Sequence, residues 1–495
     1  MNRYNIAYTI FLFAITLNAQ TEHFSEEIES TFFKEQNEIS SSLNTYMNNN
    51  FYKLHIMDEE AFVHKIDSLR GIYGSHLSSY KTKIRPSVYK DEILGIKLSF
   101  DRFILRYPLL HKDFTGNDIE LSQEVKGRLE KNKELYNNSD ALKNSSFKNY
   151  LRTYIDLKTQ KLDLSDSQIY DNQKIAANWM IIESTFTNPE ATYFFKYELL
   201  KDYINNYGIK NIDDFYNDFV KNALDQDHIS DIQNLYKTHQ NSRSQHKIEI
   251  YKKVAGVELE MHLFLPDSDN AKKHPTMIQF HGGSWSEGKP DWFFDTAKAY
   301  ADEGWVVAVA EYRIKGRHGN YPFLSVKDAK SAIRWIKANA GRLGVDKDKI
   351  LVTGNSAGGH LALATAIVDG WDEDTDDLSL SSVPNVVIVN SAVYDLTTNN
   401  SQWITEKEKD KDIVKEISPN HLVKKSPVKF FLIHGKQDRN CEYGTAEYFY
   451  NSMKAIDNNV QLYSLENASH MIWYGKHSEE VSKATGQYIK TLNWL

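Results

Sequence analysis

Residues 349–368 have the sequence KILVTGNSAGGHLALATAIV, in which two apolar runs flank a glycine-rich turn. The first run has the length and composition of a buried strand, and the second has those of a helix. Between them, the segment GNSAG (354–358) places Ser356 on a tight strand-to-helix turn. A hydroxyl on such a turn lies above the edge of the sheet, and glycine is needed beside it because a Cβ would collide with the strand and the helix. The turn predicts a nucleophilic serine, and a serine that only caps the helix is the alternative.

Strands and helices alternate through the rest of the second half of the chain. Apolar, strand-like runs lie at 246–266 (a hairpin with Gly256 at its turn), 275–283, 305–314, 384–396, 428–435 and 460–467. This alternation predicts an α/β fold with a doubly wound, mostly parallel sheet that helices cover on both faces. Ligands of such sheets bind outside the carboxyl ends of the strands, so the residues that follow each strand are the candidates for a site.

The first half of the chain has a different composition. Residues 1–245 contain 6 of the 23 glycines and 3 of the 10 prolines. Few turn-forming residues, with apolar residues three and four apart, predict an all-α domain. Pro86, Pro108 and Pro189 are predicted helix boundaries, because the residue before a proline avoids the helical conformation. We therefore expect a helical domain of unknown role at 20–242 and a catalytic α/β domain at 243–495.

A nucleophilic serine needs a base, and the base needs an acid that orients it. His470 follows the strand-like run at 460–467, and Asp438 follows the run at 428–435. We predict that His470 accepts the proton of Ser356 and that Asp438 holds His470. Asp395 and Glu442 are the rival acids, since they also lie just after strand-like runs.

The motif HGGSW (281–285) follows the strand-like run that begins at residue 275. Its two glycines let the backbone approach a substrate oxygen closely, and their N–H groups can point at that oxygen. Together with the N–H of Ala357, they would form an oxyanion hole. A plain glycine turn is the alternative.

HGGSW, AEYR (310–313), GNSAGGHLA (354–362), HGKQD (434–438) and SH (469–470) together resemble the esterase–lipase group of α/β-hydrolases. The resemblance covers roughly 246–495 and includes hormone-sensitive-lipase-like esterases and secreted acetyl or feruloyl esterases; the HGGxW form also occurs in arylformamidases. It implies that the N–H groups of Gly283 and Ser284 serve the oxyanion beside that of Ala357. Asn355 and Ser284 differ from the lipase-like branch, which has an acidic residue and a third glycine at these positions.

The composition excludes several classes of protein. Acidic residues outnumber basic ones by 67 to 59, giving a formal net charge of −8, whereas a general nucleic-acid-binding protein needs a basic surface. Cys441 is the only cysteine, which excludes an intrachain disulfide framework and a cysteine-based structural zinc site. The serine chemistry implies no metal and no organic cofactor.

The N-terminus has the pattern of a secretory signal peptide. Arg3 precedes an apolar run at 6–17 and the small residue Ala19. Twelve such residues are too few to span a bilayer, which needs about 20. We expect residues 1–19 to be removed and the mature protein to be exported; a buried N-terminal helix or a membrane anchor is the alternative.

These features predict an exported serine carboxylesterase that hydrolyses short-acyl esters, including acetyl or feruloyl esters of carbohydrates. Its predicted partner is a small-molecule or carbohydrate ester, with no nucleic acid and no membrane span. Two alternatives use the same scaffold: an amide hydrolase such as an arylformamidase or a peptidase, and a binding module without catalysis.

Overall fold

The computed structural model of the chain describes residues 25–162, 171–267, 273–319, 321–398, 404 and 411–495. The described residues form two compact units, one of 25–162 and 177–199 and the other of 171–176 and 200–495. The predicted signal peptide at 1–19 lies outside the described residues. The division into independently folding domains at 20–242 and 243–495 stays a prediction.

Helices dominate the first half of the described chain. They are α1 (Glu26–Asn49), α2 (Phe51–His55), α3 (Glu59–Ser79), α4 (Pro86–Thr115), α5 (Gln123–Glu130), α6 (Ser145–Gln160), α7 (Gln173–Thr185), α8 (Pro189–Tyr207), α9 (Asp213–Lys221) and α10 (Gln226–Arg243). Side chains cap several of these helices: Asp58 accepts the backbone N–H of Ala61 at the start of α3 at 2.8 Å, and Asn144 caps α6 in the same way. No helix of the described ranges is long and apolar enough to cross a membrane.

The prolines begin helices at two of the three predicted positions. Pro86 and Pro189 are the first residues of α4 and α8, but Pro108 lies inside α4, so its prediction as a boundary was wrong. A proline in a helix interior costs about 3 kcal/mol. Burial of the helix on both sides of Pro108 offsets that cost: Tyr107 donates its hydroxyl to Met57 O at 2.7 Å, and Leu110 is 2% exposed.

The second half forms an eight-stranded sheet. Its strands are β1 (Lys247–Val254), β2 (Val257–Phe264), β3 (His274–Phe280), β4 (Val306–Ala310), β5 (Val345–Asn355), β6 (Val386–Asn390), β7 (Lys429–Gly435) and β8 (Val460–Leu465). The strand order is β1-β2-β4-β3-β5-β6-β7-β8, with β2 antiparallel to both of its neighbours and every other pair parallel. The predicted α/β fold with a doubly wound, mostly parallel sheet is confirmed.

Helices cover this sheet. They are α11 (Phe294–Asp302), α12 (Lys315–His318), α13 (Pro322–Ala338), α14 (Ala340–Leu343), α15 (Ala357–Ile367), α16 (Tyr443–Ala455) and α17 (Ser478–Thr491). Every residue of β3, β4 and α15 is buried, which explains why their sequences are continuous apolar runs rather than alternating ones. Six neighbouring strands run in the same direction: β4, β3, β5, β6, β7 and β8. The loops that follow them therefore meet at one edge of the sheet.

The turn between β5 and α15 brings backbone unusually close to β3. A Cβ on Gly358 would lie 2.0 Å from Phe280 O, and one on Gly354 would lie 2.4 Å from the Gly358 carbonyl. Glycine is therefore required at both positions, as the motif at 354–358 predicts.

We expect Gly358→Ala to destabilise the protein by at least about 3 kcal/mol, because the added methyl would overlap a backbone carbonyl that cannot rotate away. Thermal and urea unfolding of the purified variant measure this. Gly486→Ala, in the middle of α17 with no atom within 4 Å of the new methyl, is the matched control and should be neutral or slightly stabilising. Equal stabilities of the two variants would contradict the steric requirement.

Candidate active site

Ser356 has the backbone conformation of a strained turn. Its φ of 53° and ψ of −119° lie outside the regions that residues with a side chain favour. Two backbone hydrogen bonds hold it there: its N–H donates to Asn390 O at 3.0 Å, and its carbonyl accepts from His360 N at 3.0 Å. The turn exposes the hydroxyl at the N-terminus of α15, where free N–H groups favour developing negative charge.

The structure brings Ser356, His470 and Asp438 into one hydrogen-bonded line. His470 Nε2 lies 3.0 Å from Ser356 Oγ, and His470 Nδ1 lies 2.8 Å from Asp438 Oδ2. An ionised carboxylate only accepts hydrogen bonds, so Nδ1 carries the proton and Nε2 is left to accept the serine hydroxyl. This is the arrangement in which a histidine can remove the proton of a nucleophile.

Asp438 is held as an anion. Burial raises the pKa of its carboxyl, but hydrogen bonds from His434 and His470 outweigh burial and hold the pKa well below its usual range. His434 Nε2 lies 3.2 Å from Asp438 Oδ2, and the backbone N–H groups of Asn440 and Cys441 both donate to Oδ1 at 2.9 Å. Both carboxylate oxygens are thereby oriented.

The rival acids do not contact His470 in the described hydrogen bonds. Asp395 Oδ1 accepts the backbone N–H and the hydroxyl of Thr397 at 2.8 and 2.6 Å, and it lies 3.4 Å from His421 Nε2. Glu442 is exposed and immediately precedes α16. Both line the cavity beside Ser356, which places them toward a bound molecule rather than behind the histidine.

The predicted oxyanion turn lies against Ser356. A Cβ on Gly282 would lie 3.1 Å from Asn355 O and 3.5 Å from Ser356 Cβ. Gly283, Ser284 and Trp285 all have positive φ, of 105°, 53° and 54°, so three successive N–H groups turn through a left-handed bend. Ser284 lines the cavity together with Ser356 and His470. Ala357 is the first residue of α15, and its N–H is one that a helix leaves without an intrahelical partner.

His281, the histidine of the HGGSW motif, supports the oxyanion turn. His281 is buried and stacks on Tyr312, with ring centroids 4.3 Å apart, and burial lowers its pKa to about 4. The Tyr312 hydroxyl donates to His281 O at 2.7 Å. Tyr312 belongs to the motif AEYR (310–313), so that motif supports the turn from behind.

The cavity beside Ser356 is small. Its volume is about 40 Å³, and it is lined by Ser284, Trp285, Ser356, Val393, Tyr394, Asp395, Leu396, Thr398, Ile404, Asn440, Cys441, Glu442, Thr445 and His470. Sequence reasoning missed most of the apolar wall. Residues 393–398 follow β6, so the rule that ligands lie after strands could have identified them.

Cys441 lies at the site as well. It is buried, and burial raises the pKa of its thiol. Potential ligand atoms of Asp438, Cys441 and His470 lie within 4.8 Å of one another, the one such three-residue group found in the described part of the chain. Asp438 and His470 already hydrogen-bond one another, so the hydrogen-bonded line uses two of these three groups.

Part of this chain is similar to known esterases. A family model described as BD-FAE matches residues 261–453. Carboxylesterase NlhH of Mycobacterium tuberculosis is 37% identical over 93 residues, which are 19% of this chain and 28% of the relative. Esterase LipC of the same organism is 28% identical over 217 residues, covering 40% of this chain and 53% of the relative. The chain thus spans between about a quarter and about half of the length of these two relatives.

A solved structure of the thermophilic esterase Est2 from Thermogutta terrifontis also matches, with 28% identity over 50% of this chain and 93% of that chain and a TM-score of 0.47. The sheet order, the strand–serine–helix turn, the matched family model and the curated relatives agree. The second half of this chain has an α/β fold with a mostly parallel sheet and is similar to the esterase–lipase group of α/β-hydrolases.

Proposed function

We propose that this protein is a serine carboxylesterase that hydrolyses short-acyl esters, with acetyl esters of carbohydrates as the preferred class. The line of hydrogen bonds from Ser356 through His470 to Asp438 is the observation that supports hydrolysis. The curated relatives are carboxylesterases and esterases by name. An idle scaffold would have no need to keep a nucleophile, a base and an acid in one hydrogen-bonded line.

The proposed reaction has two halves. Ser356 Oγ attacks the ester carbonyl carbon while His470 Nε2 takes its proton, and the resulting oxyanion accepts hydrogen bonds from the N–H groups of Gly283, Ser284 and Ala357. His470 then protonates the leaving alcohol, which departs and leaves an acyl group on Ser356. Water adds to this acyl-enzyme, His470 takes its proton, and the carboxylic acid is released as Ser356 recovers its hydrogen.

The size and lining of the cavity support the substrate class. One water molecule needs roughly 10–15 Å³ of such volume, so 40 Å³ holds about three groups of that size. An acetyl group fits this space. Asn440, Glu442 and Thr445 line the cavity and offer amide, carboxylate and hydroxyl groups to the hydroxyls of a carbohydrate alcohol.

We expect the protein to hydrolyse p-nitrophenyl acetate at least about 10-fold faster, in kcat/KM, than the butyrate and octanoate esters, because each methylene that does not fit costs about 1–3 kcal/mol. Ser356→Ala should lower the rate at least about 10⁴-fold, since the nucleophile and its base act as a unit. Initial rates across the ester series, with methyl ferulate and N-formylkynurenine added, measure both.

Several outcomes contradict parts of this proposal. A preference for the octanoate or the ferulate ester would contradict the small acyl group. Selective cleavage of the formamide would identify an amide hydrolase. Full activity in Ser356→Ala would contradict the mechanism, and inactive wild-type protein on every substrate would favour a binding module.

The assignment of the acid can be tested separately. Asp438→Asn should lower kcat about 10⁴-fold, because an amide can leave His470 in the wrong tautomer. Asp395→Asn is the matched control. It makes the same Asp-to-Asn change at another residue that lines the same cavity, and it should retain kcat within about 10-fold. Measured kcat values for the two folded variants decide between them, and the reverse order would make Asp395 the orienting acid.

We also propose that the protein is exported, on the strength of Arg3, the apolar run at 6–17 and Ala19. The expected result is a mature protein that begins at Gln20, outside the cytoplasm of a bacterial host that secretes it. N-terminal mass spectrometry of the fractionated protein measures this. An intact N-terminus in the cytoplasmic fraction would contradict export.

A further inference from the structure

The oxyanion turn is strained. Ser284 and Trp285 both have positive φ, which costs a residue with a side chain of order 1 kcal/mol or more. Within the turn, the backbone N–H groups of Ser286 and Glu287 both donate to Gly283 O at 3.0 Å. Such a conformation persists only where the surrounding structure imposes it.

The end of α8 contacts the turn on one side. Gly288 N donates to Asn206 O at 3.0 Å, and the buried Lys289 donates its ammonium to Ile204 O at 3.0 Å. Gly288 also packs tightly against the strand end, since a Cβ there would lie 2.4 Å from His281 Nδ1. Asn206 O thus accepts a hydrogen bond from the oxyanion loop, and Ile204 O accepts one from Lys289 in addition to the N–H of Gly208.

The start of α12 contacts the turn as well. Lys315 N donates to Trp285 O at 2.8 Å, and Gly316 N donates to Ser286 O at 2.8 Å. A Cβ on Gly316 would lie 2.4 Å from Tyr207 Oη and 2.5 Å from Ser286 O. Gly316 of α12, Tyr207 of α8 and the turn therefore pack directly on one another.

A buried ion pair connects α12 back to α8. Arg317, which is 3% exposed, donates Nη2 to Asp171 Oδ2 at 2.7 Å and Nε to Asp171 Oδ1 at 3.0 Å. Arg317 Nε also lies 3.2 Å from Asn172 Oδ1, which accepts the hydroxyl of Tyr203 on α8 at 2.6 Å. These contacts form a closed ring. The turn contacts α12, α12 contacts Asp171 and Asn172, Asn172 contacts α8, and α8 contacts the turn.

Asp171 is held as an anion in this ring. Burial raises the pKa of its carboxyl, but Arg317 and His318 outweigh burial and hold the pKa well below its usual range. Glu311, one residue before Tyr312, also pairs with Arg317. The charge on Arg317 is therefore shared between the end of β4 and a residue far away in sequence.

We propose that this ring, named the brace and consisting of residues 171–172, 203–207 and 315–317, holds the oxyanion turn in its strained conformation. Asp171 and Tyr203 are its positioning residues. This role of the brace rests on the proposed function, because the N–H groups that the brace orients are those that would bind the oxyanion. It gives part of the helix-rich half of the chain a role in the reaction.

The test uses the full chain with Asp171→Asn and Tyr203→Phe. We expect kcat for p-nitrophenyl acetate to fall about 10- to 100-fold with KM within about threefold, because misplaced N–H groups weaken binding of the oxyanion more than binding of the ester. Affinity for a trifluoromethyl ketone, which forms a tetrahedral adduct with serine, should fall in proportion. Asp171→Glu, which restores the charge, should recover part of the loss.

The matched control is Asp376→Asn. Asp376 Oδ2 accepts from Arg334 at 2.8 Å and from Ser331 at 2.9 Å on α13, so the change removes a similar ion pair in the same compact unit. Amide hydrogen exchange of residues 283–289 supplies a readout that does not need activity, and it should be faster in the two brace variants than in wild type and the control.

Wild-type kcat in folded Asp171→Asn and Tyr203→Phe would overturn the brace, as would an equal loss in Asp376→Asn. If Asp171→Asn does not fold, Tyr203→Phe decides, since it removes only one hydroxyl. If the wild-type protein hydrolyses no ester, the proposed function fails and hydrogen exchange alone decides the brace: unchanged exchange overturns it.

Discussion

The contact between Gly358 and the end of β3 is the constraint on which the site depends. Because no side chain separates α15 from the carbonyl of Phe280, the turn at Ser356 and the turn at 281–285 are neighbours in space, although His281 and Gly354 are 73 positions apart in the sequence. A larger residue would push the two turns apart and move Ser356 away from the N–H groups of Gly283 and Ser284, which we propose as oxyanion donors. Gly354 and Gly358 thus determine the spacing between Ser356 and this turn.

The parallel strands determine which other residues lie at the site. The residues that meet at the site follow β3, β5, β7 and β8, and the carboxyl ends of parallel strands lie at one edge. Burying the ionised carboxylate of Asp438 costs free energy, which hydrogen bonds must offset. His434, His470 and two backbone N–H groups surround its oxygens, so four hydrogen-bond donors stabilise the anion. A histidine oriented in this way keeps Nε2 directed at the serine.

Local sequence patterns predicted the elements whose conformation is determined by residues close together in the sequence. The strand–turn–helix at 349–368, the hairpin with Gly256 at its turn and the positions of Ser356, Asp438 and His470 after strands all follow from periodicity and from glycine placement. Strand lengths were less predictable: the apolar run at 305–314 predicted a strand that the structure ends at Ala310. Glu311 still donates its N–H to Glu260 O, but the side chains of Glu311 and Arg313 pair with Arg317 and Asp328, which lie outside the run.

Long-range pairing also explains why the helix-rich segment could not be given a role from sequence. Asp171, Lys210 and Arg243 are ordinary charged residues in a polar stretch, and nothing near them predicts burial. Their partners are Arg317, Glu311 and Glu260, between 17 and 146 residues away. Removing one member of such a buried pair typically costs about 3–5 kcal/mol, because the other charge is left uncompensated. The sheet and the helices at 200–243 consequently depend on each other. The conformation of the oxyanion turn depends on both, because the turn hydrogen-bonds to the end of α8 and to the start of α12.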